Sequence, residues 1–391
     1  MRMLFSKWRR LLAILLLIGF AYGGVWCADQ YKRSARIATE RECRKLRDAK
    51  QWAQLADVAR RWSEWDADRA DPWLFRAEAA EENREAVATA EYLSHVPDSD
   101  PRAPTALVTL AALQFNALNR PREGVLTCER ILRIDPRVTN AHSQLIFYTL
   151  STLQRKEMVR RIRDAIRVQR ESPESYVFLA GADWLYPANL YDLNSHWLES
   201  EPDNEMFQVA RAMQVYASDA KDNPSRSQEF VHIPTAQELL KKFPHNTEVL
   251  AYHLGLKMAE GDADAVQRLL DAAVSSTSED ARFWLAKAWI QDIHGEAILA
   301  EQSLQRALAI DPYWWKLHFQ MLELYRQQQR PDDVSRFSKI YQKSKRMGKL
   351  ITTLADGTSA SPEFFELLLF LADSFNDSLV STAIRFRQLA N

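Results

Sequence analysis

Glycine is scarce in this chain: there are ten in 391 residues, where ~7 % is usual. That scarcity excludes glycine-rich phosphate loops, argues against tight hairpins and favours helix throughout. Cysteine is scarcer still, and Cys27, Cys43 and Cys128 are odd in number and far apart, so they give neither a disulfide framework nor a metal-ligand spacing. No sign of charge prevails. With 51 basic against 52 acidic side chains and a net charge of −1, no global field draws the chain to nucleic acid, which is not expected as a partner. Catalytic patterns are missing as well: there is no His-Glu-x-x-His, Gly-x-Ser-x-Gly, phosphate loop or Cys-x-x-Cys, and the eight histidines are dispersed. The chain reads as a non-enzymatic protein without cofactor or metal.

What is present is amphipathic helix. Residues 281–312 read as two short helices broken at His294-Gly295, with Trp284, Ala288 and Gln291 on one face of the first. Ala300, Leu304 and Ala307 share a face of the second, which ends at Asp311-Pro312. Neither helix can bury its apolar stripe alone, so the unit must stack on others like itself. It recurs. Pro72, Pro101, Pro136, Pro173, Pro202, Pro244 and Pro312 mark repeat ends at intervals of 29, 35, 37, 29, 42 and 68 residues. Between them lie Trp73, Ala77 and Ala80, then Val177, Ala180 and Gly181, then Ala251, Leu254, Gly255 and Met258.

These residues resemble the tetratricopeptide repeat family, a helix-turn-helix of about 34 residues with a large-x2-Leu-Gly-x2-Tyr first helix and an Ala-x3-Phe, Ala, Pro second helix. Lys287 stands where the family prefers Leu, and Gln291 where it prefers an aromatic. The resemblance implies an all-α fold, an α-solenoid of roughly nine to ten helix pairs wound as a right-handed superhelix. It also implies a concave groove, lined by the first helix of each pair, where a protein or peptide partner lies. The groove candidates are Thr109, Leu113 and Asn116; Ser143 and Phe147; Leu285, Trp289 and Asp292; and Phe319, Glu323 and Arg326. Trp289 and Phe319 are the expected aromatic anchors. The Lys and Asn set that clamps a terminal carboxylate in chaperone-type members is not reproduced at these positions.

The amino terminus carries Arg2, Lys7, Arg9 and Arg10 ahead of an uncharged run, Leu11 to Ala28. Eighteen residues at 1.5 Å rise span ~27 Å, close to a hydrocarbon core, and Trp8, Trp26 and Tyr31 suit interfacial belts. Residues 1–10 therefore read as a basic cytoplasmic tail and 11–28 as a transmembrane signal anchor in contact with the bilayer, with the repeats outside the cytoplasm. Cleavage after Gly23, giving a secreted protein, is the rival.

The remaining divisions are a repeat solenoid over 29–347, a connector over 348–360 and capping helices over 361–391. An insertion rich in loop formers occupies 218–234. The divergent stretch 186–234 is the place for a small-ligand or enzymatic site should there be one. The C-terminal helix, with Phe364, Phe365, Leu367 to Leu371 and Phe375, is apolar nearly all round and serves either as a cap or for self-association. Lys156, Arg160, Arg163 and Arg167 form a basic helical stripe, and Lys339, Lys343, Lys345, Arg346 and Lys349 a second basic patch. Each suits a solvated face, an acidic partner or anionic lipid headgroups. Together these features suggest a membrane-anchored scaffold for protein–protein interaction, in envelope or secretion complex assembly.

Overall fold

The computed structural model describes residues 30–181, 190–217, 233–273, 279–353 and 360–390, and every structural statement below concerns these. They divide into two compact units, one ending at Leu118 and the other beginning at Asn119. The first unit holds α1 (30–48), α2 (Trp52–Trp65), α3 (Ala70–Glu82), α4 (Ala86–Ser94) and α5 (Ala103–Phe115). The second begins with α6 (Pro121–Ile134), α7 (Thr139–Ser151), α8 (Arg155–Arg167), α9 (Pro173–Ala180) and α10 (Leu190–Ser200). It continues with α11 (Glu205–Ala217), α12 (Ala236–Lys242), α13 (Thr247–Glu260), α14 (Ala263–Ala272) and α15 (Ala281–Ile293). The last five are α16 (Ala297–Ile310), α17 (Trp315–Gln327), α18 (Pro331–Thr353), α19 (Pro362–Ser374) and α20 (Ser378–Ala390). No strand occurs among the described residues.

Two local devices repeat. At the turn inside several of the helix pairs one residue adopts the left-handed conformation, and the next residue donates its N–H to the carbonyl five positions back: Gln51 to Leu46, Glu85 to Ala80, Gln154 to Thr149, Glu296 to Gln291, Arg330 to Tyr325. This closes the first helix with a Schellman motif. The left-handed residues Lys50, Arg84, Asn119 and Leu153 fall 34, 35 and 34 residues apart, and Gly261, Gly295 and Gln329 fall 34 and 34 apart. Only two of these seven are glycine. The turn therefore recurs with the period of the repeat even though the sequence seldom uses the residue that favours it, which is why glycine is scarce without the turns being lost.

The second device starts the next pair. Asp100, Asp135, Asn204, Asn246, Asp280 and Asp311 each accept the backbone N–H two residues on, at 2.9–3.2 Å. Six residues past the repeat-end proline a side chain then donates back to its carbonyl: His142 to Pro136 at 2.9 Å, Gln208 to Pro202 at 2.7 Å, His318 to Pro312 at 2.9 Å. Asp-Pro thus ends one helix and aims the next.

In the first unit Cys43, Leu55, Ala59, Trp62 and Phe75 from α1, α2 and α3 make the core. In the second, helices distant in sequence meet. One cluster joins Met158 and Ile162 of α8 and Tyr176 of α9 to Met347 of α18, Phe364 and Leu368 of α19 and Ile384 of α20. The second unit so closes on itself. Of the apolar residues expected on the C-terminal helix, Phe364, Leu368 and Leu371 are fully covered there, at roughly 1.5–3 kcal/mol per side chain, and Phe365, Leu369, Phe370 and Phe375 are partly buried against the same cluster. Helix α18 runs to Thr353, into the stretch 348–360 that the sequence suggests is a connector. Its last turns are held because Leu350 and Ile351 join the same cluster, Ile351 lying against Gly181, where an added Cβ would sit 3.4 Å from it.

The expected localisation is corrected. Among the described residues no helix is long and apolar enough to cross a membrane. The repeat helices run 7–23 residues, and the longest is interrupted by eight charged side chains from Asp332 to Lys349, whereas a span needs ~20 mostly apolar residues. The run Leu11–Ala28 lies outside the described residues, as do the basic tail, Cys27 and most of the insertion at 218–234.

Candidate functional site

Four helix starts in the second unit converge on one cavity of about 550 Å³. Helix α8 begins there at Arg155, just after the left-handed Leu153. Helix α13 begins at Thr247, capped by Asn246, whose side chain accepts from the N–H groups of Glu248 and Val249 at 3.0 and 3.2 Å. Asp280 caps α15 by accepting from Arg282 N–H at 2.9 Å. The turn Ile310–Trp314 leads into α17, and Val159, Leu179, Met206 and Val209 complete the apolar wall.

The charged side of this cavity is an ion-pair network centred on Glu248. Arg155 donates its Nε to both carboxylate oxygens at 3.1 and 3.3 Å. Arg282 donates through both terminal nitrogens at 2.8 and 2.6 Å, and holds Asp280 at 2.6 Å as well. Burial opposes ionisation of Glu248, but the adjacent Arg155 and Arg282 charges hold its carboxyl below the usual range. Asp280, also buried, is held low by Arg282. Burial works against the Arg282 charge, which Asp280 and Glu248 nonetheless pin well above the ordinary guanidinium value. Lys156 and Glu279 pair at the exposed rim.

A second junction lies beside it. Arg163 donates to Asp377 at 2.5 and 3.1 Å, and the Tyr313 hydroxyl donates to the same carboxylate at 2.8 Å. Trp314, which lines the cavity, is 5 % exposed, and its indole N–H has no partner among the described residues. The cavity therefore presents fixed charges, an apolar wall and one buried donor. Among the described residues no group of three or more His, Cys, Asp and Glu is placed to hold a metal ion.

No family model matches the chain, and no curated protein matches it. Solved structures do. The C-terminal part of a TPR repeat-containing protein from Cytophaga hutchinsonii is 14 % identical, over 72 % of this chain and 99 % of that one, with a TM-score of 0.29. A tetratricopeptide repeat protein from Parabacteroides merdae is 10 % identical over 65 % and 98 %, TM-score 0.29. Yeast Tom70 is 13 % identical over 89 % and 78 %, TM-score 0.28. At these scores the superpositions decide nothing by themselves; the 34-residue recurrence of the left-handed turns does. The fold of the described residues is an all-α helical repeat with turns about 34 residues apart.

The groove candidates are scattered in exposure. Leu285 is a core residue, 8 % exposed, packed with Ala288, Leu304 and Leu317. Trp289 is half-buried against the cluster of Leu254, Phe283 and Ile290. Phe319 is half-buried, its ring 5.4 Å from that of Tyr341. Neither aromatic is the exposed anchor that the sequence suggests, because each packs on its neighbouring helix. Thr109, Leu113 and Ser143 are half-buried and Asp292 is exposed. Asn116 is exposed and donates to the Ala112 carbonyl at 2.8 Å. Glu323 and Arg326 pair with each other at 2.5 Å. Phe147 is the candidate that keeps a large aromatic surface, at 42 % exposed. At the repeat position where the family has an aromatic, the Gln291 side chain accepts from the Ser303 hydroxyl at 2.7 Å, so a polar contact joins α15 to α16 there.

The cations of the basic stripe on α8 are paired within the protein. Lys156 is paired with Glu279, Arg160 with Glu157 and Asp164, Arg163 with Asp377, and Arg167 with Asp164. Carboxylates from α8 itself and from distant helices neutralise it. The network on Glu248 escaped the sequence reading, yet it has a signal: an Asp-x-Arg at the start of one first helix with an acid at the start of the previous one. Asp280, Arg282 and Glu248 fit it, and so do Asp100, Arg102 and Asp71 in the first unit, where Arg102 reaches Asp71 at 2.7 Å.

Proposed function

We propose that this chain is a non-enzymatic helical-repeat scaffold and that the cavity at the starts of α8, α13, α15 and α17 holds a segment of a protein partner. The carrying observation is the cavity itself: an apolar wall wide enough for side chains, beside charges already bound to one another. A segment entering it need not break any ion pair. Catalysis by proton transfer is disfavoured, since a general acid or base works best with a pKa near the operating pH, and Glu248, Asp280 and Arg282 are all held away from neutrality. Phe147 is the groove position best able to add aromatic contact outside the cavity.

The test is a photo-crosslinking amino acid at Lys156, on the rim. Exposure in extract of the source cells should yield adducts whose crosslinked peptides share one protein segment. Filling the half-buried wall with Val159→Trp or Met206→Trp, each checked for an unchanged thermal melt, should abolish them. Adducts that persist with the cavity filled would show that the segment, if any, binds elsewhere.

A further inference from the structure

Of the two basic stripes on this chain, one is cancelled and one is not. From Arg336 to Lys349, α18 carries six cations and no acid; its acids, Asp332 and Asp333, sit in the first turn. Arg346 pairs with Glu363, but Lys339, Lys343, Lys345 and Lys349 meet no carboxylate among the described residues. Beside them runs a groove of about 660 Å³ lined by Trp315, Tyr341, Gln342, Lys345, Arg346, Lys349 and Thr352. Every charged residue in that lining is basic. Its aromatic end is a packed row: Tyr341 lies 6.3 Å from Trp315 and 5.4 Å from Phe319, ring centre to ring centre, and Lys345 Nζ stands 5.6 Å from the Tyr341 ring. The rings are half-buried and the cations exposed.

We propose that this groove on α18, apart from the cavity and independent of it, docks an extended acidic segment of another protein with an apolar residue at one end. The spacing supports it. Tyr341, Lys345 and Lys349 lie one above another at four-residue steps, ~6 Å apart along the helix axis. Alternate side chains of an extended chain repeat at ~6.6 Å on one face. A segment of the form apolar-x-acid-x-acid therefore sets its apolar side chain on Tyr341 and Trp315 and its two carboxylates on Lys345 and Lys349. The free lysines need no existing pair to break, unlike the arginines of α8. A concave, aromatic-ended groove one helix face long suits a single chain better than a flat anionic bilayer. The contact uses internal side chains and does not call for a free carboxyl terminus.

The probe is a fluorescein-labelled peptide, Gly-Leu-Ser-Glu-Ser-Glu-Gly, amidated at its end, titrated by anisotropy against the full chain at low salt. Binding should weaken about tenfold or more when both Glu are Gln, or when salt is raised from about 0.05 M to about 0.5 M. The double variant Lys345→Glu with Lys349→Glu should lose the peptide to the same degree and gain a version carrying Lys at both acidic positions. Arg160→Glu, on the cancelled stripe, should change nothing. Equal binding of the Gln peptide, or an unaffected double variant, overturns the proposal. Binding of phosphatidylserine vesicles through the same lysines, with none of the peptide, overturns it in favour of a membrane surface.

Discussion

Arg163 and Asp377 are 214 residues apart and are joined by two hydrogen bonds, at 2.5 and 3.1 Å. Asp377 does three things at once: it binds that guanidinium, accepts from the Tyr313 hydroxyl at 2.8 Å, and caps α20 through the Val380 N–H at 3.3 Å. Burial opposes its ionisation, but the Arg163 and Tyr313 hydrogen bonds hold the carboxyl below its ordinary value. This pair ties α8 to the turn between α19 and α20.

Arg163→Ala should therefore destabilise the chain by about 2–4 kcal/mol, since it leaves a buried carboxylate with a lost partner. Hydrogen exchange should rise in α20 first. Asp377→Asn should behave alike and additionally weaken the start of α20. Unchanged exchange in α20 would show that the apolar cluster alone closes the unit.

Glu248→Gln removes the one carboxylate shared by two buried arginines, and a cost of about 3–5 kcal/mol is expected in urea unfolding. Glu64→Gln, which breaks an exposed pair with Arg60, should leave the midpoint where it is. Equal effects of the two would mean that the cavity network is as well hydrated as the surface.

His318 sets an acid dependence. Fully covered, stacked on Phe375 and donating from Nε2 to the Pro312 carbonyl, it has its pKa pushed down by burial to about 4. The unfolded chain takes up this proton near pH ~6.5 and the folded chain near 4, so stability is full above ~6.5 and falls as pH drops between those values, by about 3 kcal/mol. The depressed carboxylates Glu248, Asp280 and Asp377 add their loss lower, as pH falls through their folded values. Urea midpoints from pH 7 to 4.5 should show the slope, and His318→Gln should flatten it.

A turn glycine and a mid-helix glycine have opposite signs. Gly295 is left-handed, with φ 76°, and Gly295→Ala should cost about 1 kcal/mol. Gly255 lies inside α13 at the family's Leu-Gly position, yet nothing lies within 4 Å of where a Cβ would stand, so Gly255→Ala should stabilise by about 0.5–1 kcal/mol. Arg84→Gly, relieving a left-handed arginine at φ 62°, should stabilise by about 1 kcal/mol. Thermal melts of the three variants check the signs.

The sequence by itself determined what is decided locally. Asp-Pro at repeat ends, small residues on matched faces and a pattern of paired helices are properties of neighbouring residues, and the same local rules close each helix and start the next. Even where Lys50, Arg84 or Gln329 replaces glycine, the period survives, because the energy of one turn is small beside the packing of two helices. What only the tertiary structure decided is which surfaces meet. The stripe on α8 carries Glu157 and Asp164 within its own helix, to which Arg160 and Arg167 pair, and the stripe on α18 carries no acid from Arg336 to Lys349. But that Arg163 finds Asp377 and Arg155 finds Glu248, 93 residues away, while Lys345 and Lys349 find no carboxylate among the described residues, is decided by the tertiary structure. Charge spacing fixes a helical face and the pairs within one helix; whether Arg163 is cancelled as well depends on a carboxylate brought from elsewhere by the burial of Phe364, Leu368 and Tyr176, and no local pattern carries that information. For the same reason Leu285 is covered and Trp289 half-covered by neighbouring helices, and the cavity at four helix starts lies where four separate stretches of chain converge.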